Sequence, residues 1–180
     1  MLKSSEQILI KRCKDGDSSA FGPLIKMYRK QLYGYLFNLL GEKTLAEDVF
    51  QEVLIKAWKG IEKYSEEQKF SSWLFTIAHN CSMDELRKRK LDMLFVNDEE
   101  DIGHDNTPAH ILEKEELIQK IFSAVDMLTA KQKNVFLLRI EGELSYKEIS
   151  QITNEPLNTV LSHMNYSIKK IRKSLAKNHE

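Results

Sequence analysis

Cysteine, proline and glycine are scarce in this chain of 180 residues, at two, three and seven respectively. Cys13 and Cys81 stand far apart with no partner at metal-ligand spacing, so neither a disulfide framework nor a zinc site organises the fold. Long apolar runs are also missing: the best candidate, Leu32 to Leu40, is interrupted by Gly34 and Asn38. It falls far below the roughly 18 positions a transmembrane helix needs, so no membrane insertion is expected. The first residues, Met-Leu-Lys-Ser-Ser-Glu-Gln, lack the apolar core of a secretory signal, and a cytoplasmic location is expected. The histidines at 79, 104, 110, 163 and 179 are scattered, with no pair four apart on one helix. That pattern gives poor support to a metal-dependent or nucleophilic enzyme, and no cofactor is expected.

Net charge is absent too, with 27 Lys and Arg against 27 Asp and Glu, a total that speaks against a nucleic-acid partner. The zero hides segregation. Residues 1–92 carry 16 basic and 13 acidic side chains, residues 93–130 carry 2 and 9, and residues 131–180 carry 9 and 5. Two basic ends flank an acidic middle, a pattern that a solvated face plus an acidic loop would also produce.

What is present is helical patterning throughout. A short helix is expected from Ser4 or Ser5 to Asp15-Gly16. Asp17 reads as the N-cap of one long helix reaching Leu40, with Phe21, Leu24, Ile25, Tyr28, Leu32, Tyr35, Leu36 and Leu39 on its apolar stripe and Gly41 as its stop. Thr44 and Glu47 have the spacing of a capping box for a helix from Leu45 to about Lys59. Ser71 or Ser72 is expected to cap the next, which runs through Trp73, Leu74, Ile77, Ala78, Cys81 and Leu86 into the basic run 87–90. Residues 92–107 then turn polar and acidic, with too little apolar area to offset the entropy of ordering, and read as a flexible linker. Thr107-Pro108 opens a further helix. Thr129 with Gln132 and Ser145 with Glu148 make two more capping boxes, Gly142 ends the helix between them, and a last helix spans about Pro156 to Ala176. The expected fold class is therefore all-α: two small helical domains, 1–91 and 108–180, joined by an acidic linker.

Residues 145–164 carry a helix-turn-helix pattern, though an ordinary helical hairpin would share part of it. A capped helix with Ile149 and Ile152 inward leads to Asn154, which tolerates the left-handed backbone of a tight turn. The following helix has Val160, Met164, Ile168 and Ile171 on its buried stripe. Asn158, Leu161, Ser162, Asn165 and Tyr166 are left outward, with Lys169, Lys170, Arg172 and Lys173 beyond. The first part of such a helix can enter a major groove while the later cations meet phosphates.

In the N-terminal half, Trp58, Tyr64, Phe70, Trp73 and Phe75 are interleaved with Lys56, Lys59, Lys63 and Lys69. Rings beside cations suit unpaired bases and their phosphates. Trp58 and Trp73 read as core, and Tyr64 and Phe70 as the rings available to bases. The helix over 45–58 exposes Asp48, Gln51 and Glu52, an acidic patch that suits a protein partner rather than DNA.

The segments Ala46-Glu-Asp-Val-Phe-Gln-Glu-Val-Leu-Ile-Lys-Ala-Trp58, Phe70-Ser-Ser-Trp-Leu-Phe-Thr-Ile-Ala-His-Asn80 and Asp84-Glu-Leu-Arg-Lys-Arg-Lys90 resemble the first domain of bacterial sigma factors of the extracytoplasmic-function class. Leu128-Thr-Ala-Lys-Gln, Tyr146-Lys-Glu-Ile-Ser and Pro156-Leu-Asn-Thr-Val160 resemble that class's second domain, in the same order along the chain.

The resemblance implies a subunit that binds core RNA polymerase, reads the minus-ten and minus-thirty-five elements of promoter DNA and assists its opening. Asp48, Gln51, Glu52 and Ile55 fall where the family meets the polymerase. Lys63, Tyr64, Lys69, Phe70, Ser72, Thr76, His79 and Asn80 fall in the segment that captures a base flipped from the melted non-template strand, and Arg87, Lys88 and Arg89 beside upstream phosphates. Asn158, Thr159, Leu161, Ser162, His163, Asn165, Tyr166, Lys169 and Lys170 fall on the minus-thirty-five reading helix. Leu161, His163 and Tyr166 stand where relatives commonly carry Lys or Arg. The resemblance also implies an anti-sigma factor as partner. A stand-alone helix-turn-helix regulator with an N-terminal sensing or dimerisation domain is the alternative reading.

Overall fold

The computed structural model describes residues 2–95 and 121–177. It is helical in both stretches and divides into two compact units, Met1–Glu99 and Glu100–Glu180. The first part of the helix expected from Thr107 and most of the acidic linker lie outside the described residues.

The first unit contains α1 (Leu2–Lys14), α2 (Phe21–Lys26), α3 (Arg29–Leu40), α4 (Lys43–Gly60) and α5 (Phe70–Phe95), with single 3-10 turns at Ser18–Ala20 and Ile61–Lys63. Its core is built where α3, α4 and α5 meet: Leu32, Tyr35 and Leu36 face Ala46, Val53 and Ala57 from α4 and Leu74, Phe75 and Ala78 from α5, all at most 1% exposed. The ring of Tyr35 meets that of Phe75 edge-on at 5.6 Å. Each fully buried Leu contributes about 1.5–3 kcal/mol of transfer free energy, so this contact of three helices holds the unit together.

The expected single helix from Asp17 to Leu40 is three pieces. Asp17 does cap, its carboxylate accepting from the Ser19 amide at 3.0 Å, but it opens only a 3-10 turn. Pro23 lacks an amide donor for a ladder through this region. At Met27 and Tyr28 the chain tightens into turns closed by their amides on the Leu24 and Ile25 carbonyls, and α3 starts afresh. Gly41 stops α3 as expected, in a left-handed conformation with φ 74°.

Thr44 and Glu47 form no capping box. The helix begins two residues earlier, at Lys43, and the Thr44 hydroxyl donates to the Glu42 carboxylate at 2.8 Å. The serines before Trp73 do not cap α5 either, because the Trp73 amide already bonds the Lys69 carbonyl at 3.1 Å, which places both serines inside the first turn. At its far end α5 continues through Asp92 to Phe95, into residues expected to be linker.

The second unit contains α6 (121–126), α7 (Ala130–Ile140), α8 (Tyr146–Thr153) and α9 (Leu157–Lys177). Here both expected capping boxes form, at Thr129 with Gln132 and at Ser145 with Glu148. Gly142 is not the left-handed residue after α7; Glu143 is, with φ 52°, and the reversal is closed by the Leu144 amide on the Leu138 carbonyl. Arg139 secures this turn, donating to the Leu144 carbonyl at 2.7 Å while lying over the Tyr146 ring at 5.2 Å. Leu138, Leu144, Ile149 and Val160 make the centre of the core. Ser167, fully buried on α9, donates to the His163 carbonyl at 2.8 Å and lies 3.3 Å from that of Gln132 on α7.

Candidate nucleic-acid and polymerase interfaces

Along α4, Ala46, Val49, Val53 and Ala57 are buried at helical spacing. The opposite stripe repeats at the same period and carries Asp48, Gln51, Glu52 and Ile55. Asp48 and Gln51 are exposed, Ile55 is 54% exposed, and Glu52 is half-buried with its carboxylate 2.7 Å from the Lys56 ammonium. Glu52 holds the Lys56 ammonium in its charged form, above the usual lysine range. The stripe thus offers acidic and amide groups around one exposed aliphatic side chain. Beside it, Gln51 joins Tyr33, Phe50 and Leu54 along a groove of about 710 Å³ whose other wall carries Lys26, Arg29 and Lys30.

A second stripe grows out of the end of α4. Lys56, Gly60 and Lys63 repeat every three or four residues, and Trp73, Ile77 and Asn80 do the same on α5. The two stripes line one recess of about 400 Å³. It presents an indole, two ammonium groups and a side-chain amide, the combination that can stack a base, neutralise its phosphate and pair with its polar edge.

Trp73 was expected in the core and Tyr64 and Phe70 outside it; the packing reverses this. Tyr64 is 4% and Phe70 2% exposed, whereas Trp73 is only half-buried. The three rings lie together, with centroids 5.3–5.5 Å apart. Lys69 is exposed, Thr76 half-buried, and Ser72 and His79 are buried, with His79 Nδ1 3.5 Å from the Tyr35 hydroxyl. Of the eight residues expected in the base-capturing segment, Lys63 and Asn80 therefore stand in the recess. Lys56, Trp73 and Ile77 join them, and their shared spacing was the signal in the sequence. Further along α5, Arg87 and Lys88 are exposed and lie 3.2 and 3.5 Å from Asp84 and Glu85, loose surface pairs that phosphates can replace. Arg89 instead pairs with Glu42 at the start of α4.

In the second unit, α8 and α9 form the helix-turn-helix. Asn154 takes the left-handed conformation, φ 53°, its amide bonding the Ser150 carbonyl. The Ser150 hydroxyl donates to the Glu155 carbonyl at 2.6 Å. On α9, Val160, Met164 and Ile171 are buried and Ile168 half-buried; Asn158, Ser162, Asn165, Lys169 and Lys170 are exposed, as is Tyr166 at 63%. Thr159 and Leu161 are half-buried. His163 is drawn inward, with Nε2 3.5 Å from the Glu155 carboxylate that also accepts from Lys131 at 2.8 Å. Lys170 donates to the Met127 carbonyl, so of the two neighbouring lysines Lys169 is the one that extends the outward face without that tie.

Two family models match the chain in this order: sigma-70 region 2 over residues 24–91 and sigma-70 region 4 over residues 118–171. The paired regions define a transcription initiation factor of the sigma-70 type. Full-length similarity narrows the class. The ECF RNA polymerase sigma factor SigW of Bacillus subtilis is 32% identical over 178 residues, 92% of this chain and 94% of that one. The ECF RNA polymerase sigma-E factor of Haemophilus influenzae is 30% identical over 170 residues, 89% of each. The chain belongs to the ECF sigma factors: it associates with core RNA polymerase and directs transcription initiation from promoter DNA. Two solved structures share the fold, each with a TM-score of 0.69: CnrH, in complex with the cytosolic domain of CnrY, at 20% identity and covering 96% of this chain and 98% of that one, and the Bartonella quintana sigma factor RpoE, in complex with the anti-sigma factor NepR, at 23% identity, covering 87% and 96%. No described helix is long and apolar enough to cross a membrane.

Proposed function

We propose that the residues divide the work of initiation as follows. The α4 stripe of Asp48, Gln51, Glu52 and Ile55 meets core polymerase. Lys63, Asn80 and their neighbours in the recess take a base of the melted non-template minus-ten strand, Arg87 and Lys88 hold phosphates upstream, and the outward face of α9 reads the minus-thirty-five element. Residues 1–91 act as the polymerase-binding and minus-ten domain, 92–107 as a tether, and 108–180 as the minus-thirty-five domain.

The observation that carries this reading is the recess, where Lys56 from α4, Lys63 from the 3-10 turn after it, and Trp73 and Asn80 from α5 converge. Extruding a base costs a few kcal/mol, which a stacking ring beside cations can offset. The protein itself performs no bond chemistry, works in the cytoplasm, and is held in check by an anti-sigma factor, a partner suggested by the complexes in which its structural relatives were solved.

Start-site mapping after overexpression, followed by transcription with purified core polymerase on one mapped promoter, tests the assignment. While polymerase binding persists, Trp73→Ala is expected to lower open-complex formation about tenfold, given stacking worth about 1–3 kcal/mol per base, and Asn80→Ala about fivefold, the scale of one lost hydrogen bond. Unchanged open-complex formation by both variants would remove the minus-ten assignment.

A further inference from the structure

The region 2 match begins at residue 24, yet the segment under the minus-ten recess is tied down by a helix that lies before it. Three ties come from α1 and from Tyr28. The Lys14 ammonium donates to the Tyr64 carbonyl at 3.0 Å, across fifty positions of sequence. The Tyr28 hydroxyl donates to the Glu6 carboxylate. The Tyr28 ring, fixed by that bond, packs on Phe70 at 5.5 Å. Phe70 in turn touches both Tyr64 and Trp73 at 5.5 and 5.3 Å. The loop between Tyr64 and Phe70 closes on itself through the Tyr64 hydroxyl, which donates to the Gln68 carbonyl at 2.5 Å.

We infer that α1 is a positioning element for minus-ten recognition, in which Lys14, and Glu6 through Tyr28, fix the 64–70 loop and the aromatic cluster against which Trp73 is held. This rests on the assignment of the recess to the minus-ten strand. The physical reason is that the loop has few anchors of its own. Residues 65–69 are all exposed and carry Glu66, Glu67 and Lys69 with no apolar side chain to bury. Tyr64 and Phe70, the two ends of the loop, are therefore its points of attachment. Each is held by a residue whose position depends on α1. Preorganising a stacking ring removes an ordering cost that the incoming base would otherwise bear.

The test uses the full chain bound to core polymerase and a fork-junction probe bearing the minus-ten strand of a mapped promoter, alongside the same probe with its flipped base substituted. Lys14→Met and Tyr28→Phe are expected to weaken the cognate probe about fivefold, the scale of one partly exposed hydrogen bond, and to reduce the ratio between cognate and substituted probes. Core-polymerase binding should stay within about twofold, and Lys14→Arg should restore both quantities. A general loss of stability would lower both probes alike and leave the ratio intact. The inference is overturned if Lys14→Met and Tyr28→Phe leave affinity and ratio unchanged while Trp73→Ala weakens the cognate probe. If Trp73→Ala and Asn80→Ala also have no effect, the minus-ten assignment fails and the inference with it. Should Lys14→Met not fold, Tyr28→Phe, which removes a single hydroxyl, carries the same comparison.

Discussion

Gly60 lies so close beneath the Trp73 indole that a methyl group placed on it would meet the ring at 3.3 Å. The contact sets the floor of the recess and keeps the ring where α4 and α5 converge. Gly60→Ala is expected to gain up to about 1 kcal/mol from a less flexible unfolded chain and to lose a similar amount in displacing the ring, leaving thermal stability nearly unchanged. The displaced ring should nevertheless lower affinity for a melted minus-ten strand. A thermal melt and a fork-junction titration on one preparation check the two halves of this prediction.

Asp48 sits exposed at the head of the α4 stripe, away from the buried row of Val49 and Val53. Asp48→Lys should leave folding intact, since exposed charges contribute at most about 1 kcal/mol to stability. It should weaken association with core polymerase about tenfold, with most of the loss in association rate and a strong salt dependence. Surface plasmon resonance at two salt concentrations measures both.

Asn154 holds φ 53° between the two helices of the DNA-binding motif. Asn154→Gly is expected to be close to neutral, whereas Asn154→Val should cost about 1–2 kcal/mol, because a branched Cβ is disfavoured in the left-handed region. Denaturant melts followed by circular dichroism distinguish the two variants.

Cys13 and Cys81 are each 1% exposed, and burial pushes both thiols above their ordinary range, with Asp17 adding to the effect at Cys13 and Glu52 at Cys81. A raised value means less thiolate at any given pH. Both should therefore resist a disulfide reagent at neutral pH and react stoichiometrically once the chain is unfolded, with the native rate rising as pH is raised. The absorbance of released thiolate follows this directly.

Tyr166, at 63%, is the most exposed large hydrophobic residue described on α9 and lies on the face proposed to read the minus-thirty-five element. Tyr166→Lys should tighten DNA binding at low salt and steepen the logarithmic salt dependence by about 0.9 if the new ammonium meets one phosphate. Anisotropy titrations at several salt concentrations give the slope.

Local chemistry in the sequence determined several helix ends for which one short stretch held every participant. The Ser145–Glu148 and Thr129–Gln132 boxes, the left-handed Asn154 and the Gly41 stop each need only a few neighbouring residues, and all formed as read. The same local logic failed at Thr44 and at Ser71 and Ser72, where an earlier backbone hydrogen bond had already begun the helix. The pairing of motifs in order along the chain was likewise legible, and it was enough to identify the family. Only the tertiary structure decided which rings were buried. The cap expected at Ser71 or Ser72 leaves Phe70 outside the helix; nothing local says that Phe70 opens α5, or that Tyr28, positioned by Glu6, covers Phe70 and leaves Trp73 half-open beside Gly60. The tertiary structure also drew His163 against Glu155 and divided the stretch from Asp17 to Leu40 into three pieces. The choice of buried rings depends on residues as far apart as Tyr28 and Phe70, whose contact exists only after the helices have packed.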